Sequence, residues 1–170
     1  MPDVVEFKYN SAIDFKYEAD GHRYVKVPIF FEEGSYSNDT VDFVFDTGAY
    51  LTVLTQKTAR LFGFDKLTPI SANIPLTGFA DSHCEGDLIE IPGMMIGGRL
   101  LEGVRVAVPY VSTEDDILGL NVLEHFCFLI DNANDKIYFT DNAVYKAPKE
   151  LGCGRISAVS DSTAGSVASP

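Results

Sequence analysis

The chain has 170 residues, 46% hydrophobic and 22% charged, a balance that supports one ordinary domain with a real core and argues against wholesale disorder. Its 25 acidic residues against 13 basic ones give a net charge of −12, which repels phosphate backbones and anionic lipid and so predicts neither nucleic acid nor membrane as a partner. No apolar run reaches the roughly 18 residues that would span a bilayer.

Short alternating runs separated by turn-rich segments fill most of the sequence. Val5, Phe7 and Tyr9 alternate with polar residues, as do Ile13, Phe15 and Tyr17, and both runs predict half-exposed strands. Residues 24–31 read as a stronger strand, 32–40 as a polar turn containing Gly34, and 41–45 as a short buried strand. Over 55–62 the pattern turns helical: Thr55 can cap it, Ala59, Leu61 and Phe62 supply apolar contacts, and Gly63 stops it. Strand-like runs follow at 74–79, 88–91, 94–96, 100–101 and 104–109, and Gly97-Gly98 before Arg99 signals a tight hairpin. Residues 121–126 predict a second short helix, and 127–130 with 136–139 a closing hairpin.

From Ala147 onward the composition shifts, and 151–170 is rich in Gly, Ser, Ala and Thr. Burial cannot offset the ordering entropy of such a segment, so it is predicted to be flexible. The expected organisation is a β-rich N-terminal extension over 1–23, a mainly β domain with two short helices over 24–146, and a flexible C-terminal tail over 147–170. No internal repeat occurs.

Cys84, Cys127 and Cys153 share no framework spacing, which predicts reduced thiols. The start, Met1-Pro2-Asp3-Val4-Val5-Glu6, has neither the basic flank nor the apolar stretch of a secretory signal, so a cytoplasmic location is expected. On the same ground Asn38-Asp39-Thr40 reads as a loop rather than a glycosylation site. His83-Cys84 and His125-Phe126-Cys127 lack the spacing of a closed zinc site, and His125 is expected on the exposed side of its helix. Asp131-Asn132-Ala133-Asn134-Asp135 reads as a hairpin turn, because Ala133 occupies what would be a calcium-ligand position. No phosphate-binding glycine loop or Gly-x-Ser-x-Gly elbow is present.

The stretch Val41-Asp42-Phe43-Val44-Phe45-Asp46-Thr47-Gly48-Ala49-Tyr50 carries the chemistry. An apolar strand delivers the Asp46 carboxylate, and Gly48 lets the backbone turn where a Cβ would obstruct. A carboxylate at the end of a buried strand costs several kcal/mol unless it is paired or hydrogen-bonded. Taken alone, Asp46-Thr47-Gly48 could be an ordinary Asx-turn.

Its context changes that reading. Asp116-Ile117-Leu118-Gly119-Leu120-Asn121 follows farther along, two apolar residues and a glycine opening a short helix. The pair of motifs resembles the aspartic proteases, most nearly the single-domain retroviral-type enzymes and the bacterial proteins like them. The resemblance spans roughly 24–140 and includes Leu51-Thr52-Val53-Leu54, Leu129-Ile130-Asp131 and Lys136-Ile137-Tyr138-Phe139. It implies a mainly β, retropepsin-like half-barrel with a flap hairpin. It also implies that Asp46 is the catalytic carboxylate and that the Thr47 hydroxyl locks two active-site loops together. Gly48 and Ala49 would line the floor under the substrate backbone, and Ile117, Leu118 and Gly119 would support the loop from below. The flap would run through Ile74-Pro75-Leu76-Thr77-Gly78-Phe79-Ala80-Asp81 and return through Gly86-Asp87-Leu88, so that Thr77, Gly78, Phe79, Ala80 and Asp81 meet the substrate; an ordinary surface hairpin is the alternative for this segment.

Two departures from the retroviral pattern stand out. Tyr50 and Leu51 occupy positions where those enzymes often carry acidic residues, which implies more apolar subsites. The terminal strands of the retroviral dimer sheet have no clear counterpart.

The resemblance also implies a partner. Hydrolysis by this route needs two carboxylates about a hydrogen bond apart sharing one proton, with neither a metal nor a cofactor. No second Asp-Thr-Gly or Asp-Ser-Gly occurs: Asp81-Ser82-His83 and Asp161-Ser162-Thr163 both lack the glycine. The expected functional unit is therefore a homodimer whose two Asp46 side chains meet on a two-fold axis and cleave a protein or peptide substrate. The competing expectation is a catalytically weak or inactive module that keeps the same fold and binds extended peptides.

Overall fold

The computed structural model describes residues 5–30, 40–78, 84–141 and 156–160. Alternation of apolar and polar side chains produces strands over most of this length: β1 (Val5–Tyr9), β2 (Ser11–Tyr17), β3 (Arg23–Phe30), β4 (Thr40–Phe45), β5 (Thr52–Val53), β6 (Ser71–Leu76), β7 (Cys84–Ile96), β8 (Arg99–Pro109), β9 (Asp116–Leu118), β10 (Phe126–Asp131), β11 (Lys136–Asp141) and β12 (Ile156–Ser160). Helix α1 (Gln56–Leu61) follows β5, and the four-residue α2 (Leu120–Leu123) follows β9. Among the described residues ten strands form one sheet in the order β10-β11-β2-β3-β4-β9-β5-β8-β7-β6, with β3 also pairing with β7.

The sheet wraps a core led by Val25, Val27, Phe43, Leu54, Ile91, Met94, Ile96, Leu118, Leu123, Ile137 and Phe139, all fully buried. Phe45 meets Phe128 edge-on with ring centroids 5.1 Å apart, and Phe126 meets Phe139 the same way at 5.7 Å. The first contact anchors the strand that carries Asp46 to the closing hairpin, and the second packs the two strands of that hairpin together.

Several local expectations hold. Thr55 caps α1, its hydroxyl accepting from the Thr58 N–H at 3.1 Å, and Gly63 leaves the helix with φ 72°. Gly97 and Gly98 turn between β7 and β8 with φ 58° and 75°, the left-handed pair that a two-residue hairpin requires. Asp131 accepts from the backbone N–H groups of Ala133 and Asn134, closing the turn between β10 and β11, and His125 is exposed.

Others are corrected. The runs at 88–91 and 94–96 are one strand, β7, and those at 100–101 and 104–109 are one strand, β8. Between the pairs Ile91–Val104 and Gly93–Glu102, Pro92 stands opposite Gly103, whose φ is 60°. The residue without an N–H thus falls at a local irregularity, and the ladder resumes past it. The second helix is shorter than 121–126, because Phe126 pairs with β11 instead. Leu61 is 76% exposed, since the helical period turns Ala59 and Phe62 inward and Leu61 outward. The run at 74–79 begins earlier, at Ser71, and ends at Leu76.

At the termini, β2 pairs with β3 and β11 and places Phe15 in the core, so part of 1–23 belongs to the main sheet. The segment expected to be flexible contains β12, which pairs in parallel with β1 from Val5–Ile156 to Tyr9–Ser160. Its partner lies at the other end of the chain, where local composition gives no sign of it. The turn around Gly34, Asn38-Asp39, the hairpin residues Phe79, Ala80 and Asp81, Cys153 and Asp161-Ser162-Thr163 lie outside the described residues.

Candidate active site

Buried Phe43, Val44 and Phe45 hold β4 in the sheet, and the chain leaves the core at Asp46. Parallel pairing with β9 sets Phe43 beside Asp116, Val44 beside Ile117 and Phe45 beside Leu118, and the Asp46 N–H continues the ladder to the Leu118 carbonyl at 3.1 Å. Asp46 Oδ1 accepts the Gly48 N–H at 2.7 Å, the two-residue closure of an Asx-turn. A Cβ on Gly48 would lie 3.1 Å from that oxygen, so glycine lets the loop close tightly around the carboxylate. Asp46 and Ala49 are half-buried, while Thr47 and Gly48 are exposed.

Beneath the loop the backbones nearly touch. A Cβ on Gly119 would fall 2.5 Å from the carbonyl carbon and oxygen of Leu51 and 2.8 Å from the Thr52 nitrogen. The Gly119 N–H donates to Thr52 Oγ1 at 3.1 Å, and the amides of Leu120 and Asn121 donate to the carbonyls of Ala49 and Tyr50. Asn121 adds a side-chain bridge, accepting from the Thr52 N–H at 2.7 Å and donating through Nδ2 to the Arg105 carbonyl at 2.8 Å.

Asp116 is buried at the start of β9. Its carboxylate accepts the Thr55 N–H at 2.6 Å and the Thr58 hydroxyl at 2.7 Å, joining β9 to the first turn of α1. Burial pushes its pKa above the ordinary value, and the hydrogen bonds from Thr58 and Thr55 oppose that rise.

A cavity of about 390 Å³ opens over Asp46. Gly48, Ala49, Tyr50, Leu51, Val53 and Ile117 line it from the loop side, and Pro75, Leu76, Thr77 and Gly78 from the β6–β7 hairpin. Asp46 is the one charged side chain among these described residues. The structure thus brings together the sequence-predicted Asp46, Gly48, Ala49, Ile117, Thr77 and Gly78. Leu118 and Gly119 are buried below them, and Phe79, Ala80 and Asp81 lie outside the described residues. Tyr50, 79% exposed, stands at the rim. It also borders a second, larger cavity of about 840 Å³ between β8 and α2.

Sequence reasoning passed over Thr52, Thr55, Thr58, Asp116 and Asn121 as site-building residues. Asp116 and Asn121 bracket Ile117-Leu118-Gly119-Leu120, and a polar residue at each end of an apolar run signals hydrogen bonds to be met. Among the described residues no group of three His, Cys, Asp or Glu side chains is placed to hold a metal ion, and no helix is long and apolar enough to cross a membrane.

An Asp-Thr-Gly loop at the end of a core strand, braced by an Ile-Leu-Gly strand and bordered by the β6–β7 pair, defines a retropepsin-like aspartic protease fold. A family model described as "gag-polyprotein putative aspartyl protease" matches residues 33–125, more than half of the chain, and the chain belongs to that family. A search among curated proteins finds no match. Among solved structures, a retropepsin-like aspartic protease from Rickettsia conorii is 24% identical with a TM-score of 0.55, the match covering 78% of this chain and 95% of that one. The retroviral protease-like domain of Ddi1 from Leishmania major is 17% identical with a TM-score of 0.48, over 73% and 98% of the two chains. EIAV protease, in complex with the inhibitor HBY-793, is 18% identical with a TM-score of 0.42, over 64% and 91%.

Proposed function

We propose that the chain is an aspartic endopeptidase that acts as a homodimer, with Asp46 and its symmetry mate forming the catalytic pair. The supporting observation is the placement of Asp46 as the one charged side chain among the described residues that line the cleft between its loop and the β6–β7 hairpin. One ionised carboxylate takes a proton from a bound water as the water oxygen attacks the scissile carbonyl carbon. The protonated carboxylate hydrogen-bonds to the carbonyl oxygen and stabilises the developing charge. The tetrahedral intermediate then breaks its C–N bond, and the departing nitrogen takes a proton from the pair. One chain supplies one such carboxylate, so the second copy completes the site. The exposed Thr47 hydroxyl would join the two loops across the axis, and Thr77 and Gly78 would offer backbone hydrogen bonds to an extended substrate. The apolar lining, Tyr50 and Leu51 included, favours apolar substrate side chains.

The test is cleavage of a casein-like protein and of a peptide library by wild-type protein and by Asp46→Asn, with and without a pepstatin-type inhibitor. Inhibitor-sensitive cleavage that Asp46→Asn abolishes supports the reading. Cleavage that survives in Asp46→Asn overturns it, and peptide binding without cleavage assigns the chain to the interaction-module alternative.

A further inference from the structure

We infer that Tyr110 and Asp87 are positioning residues that hold the root of the β6–β7 hairpin in register over the Asp46 cleft. Between the pairs Ser71–Leu88 and Ile74–Gly86 the register of β6 shifts, so Ala72 and Asn73 face the single residue Asp87. This is a β-bulge, which bends a strand and frees backbone groups from the ladder. Asn73 takes the left-handed conformation there, with φ 55°. Its N–H donates instead to the phenol oxygen of Tyr110 at 3.2 Å, and the same phenol donates to Asp87 Oδ1 at 2.6 Å. One side chain from beyond β8 therefore bridges both sides of the bulge.

Tyr110 is itself fixed from two directions. Its N–H donates to the Glu85 carbonyl on β7 at 2.8 Å, and Gln56 Nε2 of α1 donates to the carbonyls of Pro109 and Tyr110 at 3.0 and 2.7 Å. Helix α1 is in turn tied to β9 through Asp116. A continuous polar path thus runs from the strand beneath Asp46 to the bulge. From there β6 continues directly into Pro75, Leu76, Thr77 and Gly78 of the cleft wall. Releasing the bulge lets the two strands change their relative bend, which moves this wall with respect to Asp46. The consequence for substrate rests on the proposed protease reading; the register claim does not.

The experiment compares wild type with Tyr110→Phe, Asp87→Asn and Asp87→Ala by residue-resolved amide exchange and by peptide-cleavage kinetics. Phe removes the phenol oxygen and keeps the ring, Asn keeps an acceptor for the phenol, and Ala removes it. Losing one hydrogen bond of ordinary strength speeds exchange by about fivefold to tenfold at the amides it protects. That increase is expected at the amides of Asn73, Ile74, Leu76, Thr77 and Gly78 in Tyr110→Phe and Asp87→Ala, with the β10–β11 amides unchanged and Asp87→Asn near wild type. KM is expected to rise while kcat stays within about twofold, the signature of lost binding geometry rather than lost chemistry. Exchange that is unchanged over 74–78, or that rises equally across β10 and β11, overturns the proposal. Should Tyr110→Phe not fold, the two Asp87 variants decide it, and equal exchange in both overturns it. Changed hairpin exchange in a protein that cleaves nothing upholds the positioning role and removes only the protease reading.

Discussion

Gly119 lies so close under Leu51 that a Cβ on it would stand 2.5 Å from the Leu51 carbonyl oxygen. The obstructing atoms are backbone, which cannot rotate aside, and the same backbone leads into the Asp46 loop through Ala49 and Tyr50. Gly119→Ala is therefore expected to destabilise the fold at the upper end of the about 1–3 kcal/mol typical of overpacking. Urea unfolding checks this, and a loss below about 0.5 kcal/mol, the range of ordinary surface substitutions, would refute it.

Asn121 connects three segments with two hydrogen bonds. Asn121→Ala leaves the Thr52 N–H and the Arg105 carbonyl without their partner, at about 1–3 kcal/mol for each group that water cannot reach. Asn121→Asp keeps the acceptor for Thr52 and loses the donor to Arg105, so its thermal midpoint should fall between those of wild type and the alanine variant. An aspartate variant as unstable as alanine would contradict this division.

Asp116 makes the stability depend on pH in a defined direction. Its folded pKa lies above the ordinary aspartate value of 3.8, so the native state holds more protons than the unfolded chain in the window that opens there. The contribution of this group is complete below that value and is lost as pH rises through the folded pKa. Asp116→Asn cannot titrate. The unfolding free energy of wild type minus that of the variant should therefore decline as pH rises from about 3.8 and then level off. A difference that grows with pH would reverse the assignment.

Asp46→Asn changes one oxygen to nitrogen on a half-buried side chain and retains an oxygen that can accept the Gly48 N–H. The variant should fold with a thermal midpoint close to wild type while losing peptide hydrolysis. The proposed site takes one carboxylate from each of two chains, so specific activity should also fall on dilution, in step with the sedimentation shift from dimer to monomer. Activity per chain that stays constant while the protein sediments as a monomer would rule out the shared pair.

Much of this was written locally. The alternation around Phe15, the Thr55 cap, the Gly97-Gly98 turn and the apolar run into Asp46 each depend on residues a few positions apart, and each is legible in the sequence. The site motif was legible because Asp46, Thr47 and Gly48 are contiguous. The members of its support are not: Thr58 reaches Asp116, Thr52 reaches Asn121 and Tyr110 reaches Asn73, all across gaps that periodicity does not span. The same limit hid β5 and β12, which are strands because distant backbone groups pair with them.

The sequence by itself determined the class of the chain, a mainly β domain with one Asp-Thr-Gly loop and no second copy of it. Tertiary structure alone decided that Asp46 faces a cleft lined by the β6–β7 hairpin and that Gly119 sits against the backbone of Leu51. It alone decided, too, that a buried carboxylate at Asp116 and a phenol at Tyr110 brace the two sides of that cleft. The physical reason is that side-chain period and turn chemistry are short-range. Pairing register and hydrogen bonds between distant segments are fixed only when the whole sheet closes around its core.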